Sequence, residues 1–208
     1  MIRTTRETWQ DDDRATVEFF ARQAAEHGLG PRALDWGSAR SQALRFQRLA
    51  AIGDLRGASI LDVGCGQADF AAWLDEQGID VDYTGIDLTP AMIDTCRRRF
   101  PGRRFELAAA HDLTAVAPGA WDYVFACGLF YRRTVEPFEF LRTTVAGFFA
   151  RSRCGTAFNS LSAWSSARDA DEYYADPAAV LDFCRSLTPR VVLDHAYHDR
   201  DFTVSLYQ

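Results

Sequence analysis

Gly64 and Gly66 stand two residues apart at the end of an apolar run, and Asp87 and Asp112 each close a later run. Residues of these types, so spaced, can hold a nucleotide. The glycines let backbone approach a ligand closely, and a helix beginning near Ala68 turns unpaired N–H groups toward an anionic group. A carboxylate at position 87, twenty-three residues beyond Gly64, can accept both hydroxyls of a ribose. Asp112 can accept from an exocyclic amino group such as that of adenine. Three such stations, one strand end apart, match an adenosine-bearing ligand laid across the edge of a sheet. Each also has a plainer reading: a tight strand-to-helix turn for the glycines, a helix cap for Asp87, a turn residue for Asp112.

Two cofactors compete for that description. A nicotinamide dinucleotide site wants G-x-G-x-x-G, but the sixth position here is Asp69, whose carboxylate would repel a pyrophosphate and whose side chain would widen helix–strand packing. The stretch "ILDVGCG" instead resembles the first motif of class I S-adenosylmethionine-dependent methyltransferases, a family in which an acid before the turn (here Asp62) and the turn itself (Gly64, Cys65, Gly66) hold the methionine end. The resemblance continues at "GIDLTPAMI", which implies Asp87 as the ribose acid, with Leu88 beside it and Met92 lining the adenine. It continues at "AAHDL", with Asp112 and Leu113 at the adenine edge, and at "WDYVFACGLF", where the backbone of Cys127 faces the transferring methyl. Upstream, "DWGSARSQALRF" is similar to a segment of small bacterial methyltransferases; Arg45 is grouped with the cofactor residues, while Ser41, Gln42 and Arg45 are left open between cofactor and substrate.

What the resemblance implies is S-adenosyl-L-methionine as cofactor and methyl transfer to a small-molecule acceptor by in-line displacement. The chain departs from the family pattern at Ala68, where a third glycine is usual. After the fourth strand it reads "ACGLF" rather than Asp/Asn-Pro-Pro-Tyr, which argues against transfer to a nucleic-acid base. A nicotinamide-dependent oxidoreductase and a non-catalytic cofactor-binding partner protein remain the alternatives.

On the acceptor side, His198 at a hairpin tip is a candidate to reach a substrate proton, with a surface histidine as its alternative. Tyr131 is a candidate hydroxyl toward the acceptor or, with Phe130, an aromatic wall. His195 is expected inside a strand, and His111 packs over the adenine or points outward. The segment 160–177 has the length of a lid, with Trp164, Tyr173 and Tyr174 as its aromatic cover. Arg97, Arg98, Arg99, Arg103 and Arg104 form a basic run, read as a solvated helix end rather than an anion site.

The elements that must position these residues alternate from about residue 59. Short apolar runs ("SILDV", "DYTGI", "RFELAA", "DYVFAC", "GTAFNS", "RVVLDHAY", "DFTVSLY") mostly alternate with helical patterns; His111 and Asp112 close the third run, and only a three-residue link joins the last pair. So short a link requires an antiparallel hairpin. The expected fold is α/β: a doubly wound, mostly parallel seven-stranded sheet, Rossmann-like, with an antiparallel C-terminal hairpin strand. One domain over 1–208 is expected, with 1–58 a helical cap on a 59–208 core. With 208 residues and 48% hydrophobic content there is room for such a core.

The net charge of −6 disfavours a phosphate-tracking surface, so no nucleic-acid partner is expected. All 23 basic residues are arginine, which excludes Schiff-base and P-loop lysine chemistry. Five scattered cysteines without a C-x-x-C pair suggest neither a disulfide framework nor a zinc cage. No spanning helix or secretory signal is read, so a cytoplasmic protein without a membrane partner is expected. Oligomeric state is not legible.

Overall fold

A computed structural model of the chain describes residues 5–113, 117–132 and 135–208, with backbone alone for 5–8. The strands are β1 (Ser59–Val63), β2 (Asp82–Asp87), β3 (Arg104–Leu107), β4 (Trp121–Ala126), β5 (Ser152–Leu161), β6 (Val191–Asp194) and β7 (Asp201–Tyr207). The helices are α1 (Thr5–His27), α2 (Ala39–Ala50), α3 (Asp69–Glu76), α4 (Pro90–Arg99), α5 (Pro137–Arg151) and α6 (Pro177–Leu187), with a 3-10 turn at Pro31–Leu34. The seven strands form one sheet in the order β3-β2-β1-β4-β5-β7-β6. Strands β1 to β5 pair in parallel, and β7 lies antiparallel between β5 and β6. The order reverses at the β1–β4 neighbours, so a crevice opens beyond their carboxyl ends. Because β6 is antiparallel to β7, it runs with β1–β5 and ends on that same rim.

Burial on both faces follows from the alternation of side chains along each strand. Leu61, Val63, Val124, Ala126 and Phe158 belong to one apolar cluster, with Trp9 of α1 and the buried stripe of α5 (Phe140, Leu141, Val145, Phe148). Ile60, Phe125 and Ala157, from the same strands, face the other cluster, with Phe46 of α2, Phe70 and Leu74 of α3, and Ile93 of α4. Each fully buried Phe or Leu contributes roughly 1.5–3 kcal/mol of transfer free energy. α3 ends where expected: Gly78, at φ 66°, places its N–H on the Asp75 carbonyl and that of Ile79 on Leu74 (3.0 and 2.9 Å), a Schellman closure.

Two local expectations differ. Thr89 occupies the N-cap of α4 but its side chain caps nothing there; the Asp87 carboxylate accepts from the Thr89 N–H instead (2.7 Å). β6 stops at Asp194, whose carboxylate turns back onto the Ala196 N–H (2.9 Å), so His195 lies in the turn and not in a strand. The basic run is a solvated face, as expected: Arg97, Arg98 and Arg104 are exposed, with contacts to the Phe105 carbonyl, Thr95 and Asp82, while Arg99 and Arg103 pair with Asp69 and Asp75. No helix among the described residues is long and apolar enough to cross a membrane.

Candidate active site

The turn after β1 is built from both glycines, Gly64 at φ 73° and Gly66 at φ 55°, a backbone region that favours glycine. The N–H groups of Gly64 and Cys65 both donate to the Ile86 carbonyl (2.8 and 2.9 Å), which ties the turn to the end of β2. Asp87 completes the tie, accepting from the Gly66 N–H at 2.9 Å. Burial raises the Asp87 carboxyl above its ordinary range, opposed by the N–H groups of Thr89 and Gly66. Two backbone donors leave lone pairs on this carboxylate for a ribose. Ala68 takes the left-handed conformation (φ 60°) without being glycine, a strain of about 1–2 kcal/mol at the start of α3.

Beyond this rim lies a cavity of about 410 Å³. It gathers Arg45, Gly64, Gly66, Asp87, Leu88, Met92, Cys127, Tyr131 and His198 from five separate stretches of chain. A recess of about 30 Å³ beside the turn is lined by Asp62 and Cys65, with Gly64, Cys127, Trp36, Gln42 and Asp69. Asp62 is buried and accepts from the Tyr83 hydroxyl at 2.5 Å; burial pushes its pKa up to about 7 against that hydrogen bond. Burial also raises the Cys127 thiol, so the side chain is a poor nucleophile.

Asp112 and Leu113 line neither space. Asp112 is exposed, and Leu113 is buried in the core with its carbonyl accepting from Arg151 (2.7 Å). Ala108 and Ala110 stand on the cavity wall in their place. His111 turns away to Asp13 of α1 (2.9 Å) and rests against Trp9. In the 160–177 segment the aromatic residues do not face the cavity: Trp164 is mostly exposed and stacks on His195, and the Tyr174 hydroxyl meets Glu172 and Arg200. Asp169 and Glu172 face it instead, both bound to Arg200 (2.7 and 3.0 Å). An N–H from Tyr173 to the Tyr131 carbonyl (2.8 Å) and the Ser162–Ala175 bridge hold that segment down.

Sequence reading missed Asn159 and Asp201. Asp201 is buried and accepts from Arg45 Nε (3.1 Å), from Asn159 and from the Tyr197 hydroxyl. Asn159 in turn accepts from the Gly128 N–H (2.8 Å), while Arg45 donates to Ser41 and lies 5.1 Å over the Trp36 ring. This network fixes α2, β5, β7 and the turn after β4 around one wall. The signal available was positional: both residues sit where a strand meets the ligand rim. His198 has a defined tautomer, because its Nδ1 accepts from the Arg200 N–H (3.1 Å) and Nε2 must carry the hydrogen. Burial and then the charge of Arg45 hold its pKa below the usual value, so the ring is neutral and a donor rather than a base. The Tyr131 hydroxyl donates to Asp35 (2.9 Å), with burial and then Asp35 raising its pKa further.

Residues 60–145 match the profile of a family described as a methyltransferase domain. The crystal structure of magnesium protoporphyrin IX methyltransferase from Synechocystis PCC 6803 with bound SAH shares the fold, with a TM-score of 0.68 over 95% of this chain and 99% of that one, at 13% identity. Rv1506c of Mycobacterium tuberculosis, a protein named as a methyltransferase, is 39% identical over 157 residues, 70% of this chain and 90% of the relative. The chain belongs to the class I S-adenosylmethionine-dependent methyltransferases. A shorter match, 37% over 70 residues, joins this methyltransferase to the fatty-acid O-methyltransferase of Mycolicibacterium smegmatis, covering 33% of this chain and 26% of that protein. Membership makes the chain an enzyme with S-adenosylmethionine as cofactor, and it sets aside the nicotinamide and non-catalytic readings. The donor set fits that cofactor: a glycine turn, a ribose-competent acid and the apolar Met92 along one rim.

Proposed function

We propose that the methyltransferase acts on a small-molecule acceptor held in the cavity between α1, Tyr131, the 160–177 segment and the turn before β7. The observation that carries this is the continuity of the cavity, which runs from Gly66 and Asp87 past Cys127 to His198 within walls suited to a small ligand. The bound cofactor supplies a methyl group on a sulfonium, already a good electrophile. Asp87 binds the ribose, Met92 and Leu88 line the adenine, and Asp62 with the Gly64–Gly66 turn holds the methionine end. Tyr131 and Phe130 form the wall against the acceptor, and His198 donates to it.

Aligning donor and acceptor lowers the barrier by about 7–11 kcal/mol, against roughly 3–5 kcal/mol for a general base. A cavity that positions donor and acceptor well is therefore adequate without a general base. An oxygen acceptor agrees with the name of the Mycolicibacterium smegmatis relative. The ion pairs of Arg99 with Asp69 and Arg103 with Asp75 and the net charge of −6 support a reading without nucleic acid, and a cytoplasmic location fits the composition. Calorimetric titration with S-adenosylhomocysteine tests the reading: about micromolar affinity is expected, and Asp87→Ala should weaken it by about 1–3 kcal/mol. An unchanged affinity in that variant would remove Asp87 from the ribose.

A further inference from the structure

The carboxylates on the cavity wall are each already engaged. Asp201 holds Arg45 and Asn159, Asp169 and Glu172 share Arg200, Asp35 accepts from Tyr131, and Asp87 accepts from Gly66 and Thr89. The one imidazole lone pair, at His198 Nδ1, is taken by the Arg200 N–H. What remains unspent is of one kind. Arg45 commits Nε and Nη1 but makes no hydrogen bond through Nη2 among the described residues. His198 has its Nε2–H to give, and Arg132, lying 3.6 Å over the Phe19 ring, has no hydrogen bond or ion pair among the described residues. All three residues line the cavity, beside the apolar surfaces of Phe20 and Leu161.

Resting on the methyl-transfer reading above, we infer that the acceptor is a carboxylate carried on an apolar or aromatic body, and that the product is its methyl ester. A carboxylic acid is ionised at neutral pH and arrives with its lone pair exposed, whereas an ammonium or a phenol must first lose a proton. The cavity offers donors to hold an anion and, among the described residues, no uncommitted group to take that proton. One carboxylate oxygen is gripped by the donors and the other attacks the methyl carbon in line. The C–O bond forms as the C–S bond breaks, its electron pair stays on sulfur, and the negative and positive charges cancel to leave a neutral ester and a neutral thioether. No proton moves.

The test uses the full chain loaded with S-adenosylhomocysteine. Benzoate, phenylacetate and octanoate are titrated against their amides and against benzylamine and octylamine. At least one carboxylate is expected to bind tenfold or more tighter than its matched amide and amine. His198→Phe and Arg132→Gln should each weaken that carboxylate about tenfold while S-adenosylhomocysteine affinity stays within twofold, which also shows that the variants fold. With methyl-labelled cofactor, the label should become volatile in alkali, as an ester methyl does. Equal or tighter binding of amides or amines, no carboxylate binding at millimolar concentration, or label found only in alkali-stable product would each overturn the inference. Failure of S-adenosylhomocysteine to load is a separate outcome: it would sink the methyl-transfer reading, and this inference with it.

Discussion

Asp62 shows how a single residue in this site carries a measurable consequence. Its carboxyl keeps a proton in the fold up to about pH 7, against a reference value of 3.8, because burial outweighs the Tyr83 hydrogen bond. Between those values the folded chain binds more protons than the unfolded one, so the contribution to stability is full below about pH 4 and falls as pH rises toward 7. Asp62→Asn keeps an acceptor for Tyr83 and removes the ionisation. The variant should therefore be more stable than the parent at pH 8, and the slope of stability against pH across that window should flatten by on the order of 1.4 kcal/mol per pH unit. Urea melts from pH 4 to 8 measure this directly; parallel slopes in parent and variant would place the proton on another group. The placement of the site residues was partly legible. Gly64, Gly66, Asp62 and Asp87 are near one another in sequence and follow the strand ends that define them. The Arg45–Asp201 pair was not, because its partners stand 156 positions apart and only the sheet brings them together.

At the scale of elements, apolar runs closed by Gly, Asp or Pro marked β1, β2, α4 and β7 within a residue or two, since those punctuating residues are chemically distinct. β6 is shorter than its apolar run "RVVLDHAY" suggests, because the Asp194 carboxylate turns back on the Ala196 N–H, which nothing local in the sequence signals. The aromatic cover assigned to 160–177 failed for a related reason: composition gave the residues but not which way they face, and Arg200 from the next turn decides it. The register of β5 against β7 depends on Gly155, opposite Tyr207. A Cβ there would stand 2.4 Å from the Leu206 carbonyl oxygen and 3.1 Å from Ile52, so the two strands would have to separate. Gly155→Ala is expected to cost about 1–3 kcal/mol in denaturant unfolding, as overpacking does. A cost below about 0.5 kcal/mol would mean that the strand pair yields freely.

Across the whole molecule, the sheet gathers its chemistry on one rim and the remaining chain encloses it. α1 is anchored by Trp9 against Phe140 (5.4 Å), by His111 to Asp13, and by Asp12 accepting from the Val135 N–H (3.0 Å), while Thr16 and Phe20 from the same helix face the cavity. The 160–177 segment is held by Arg200 and Tyr131 from other elements. The enclosure is thus made by groups other than the Gly64–Gly66 turn and Asp87, which stay on the cavity wall to grip a cofactor. A crystal structure of the protein with S-adenosylhomocysteine tests this most directly. The ribose hydroxyls are expected on Asp87, the adenine against Met92, and the thioether sulfur turned past Cys127 toward Arg45 and His198. Density for the nucleoside elsewhere, with Asp87 touching only Gly66 and Thr89, would contradict it.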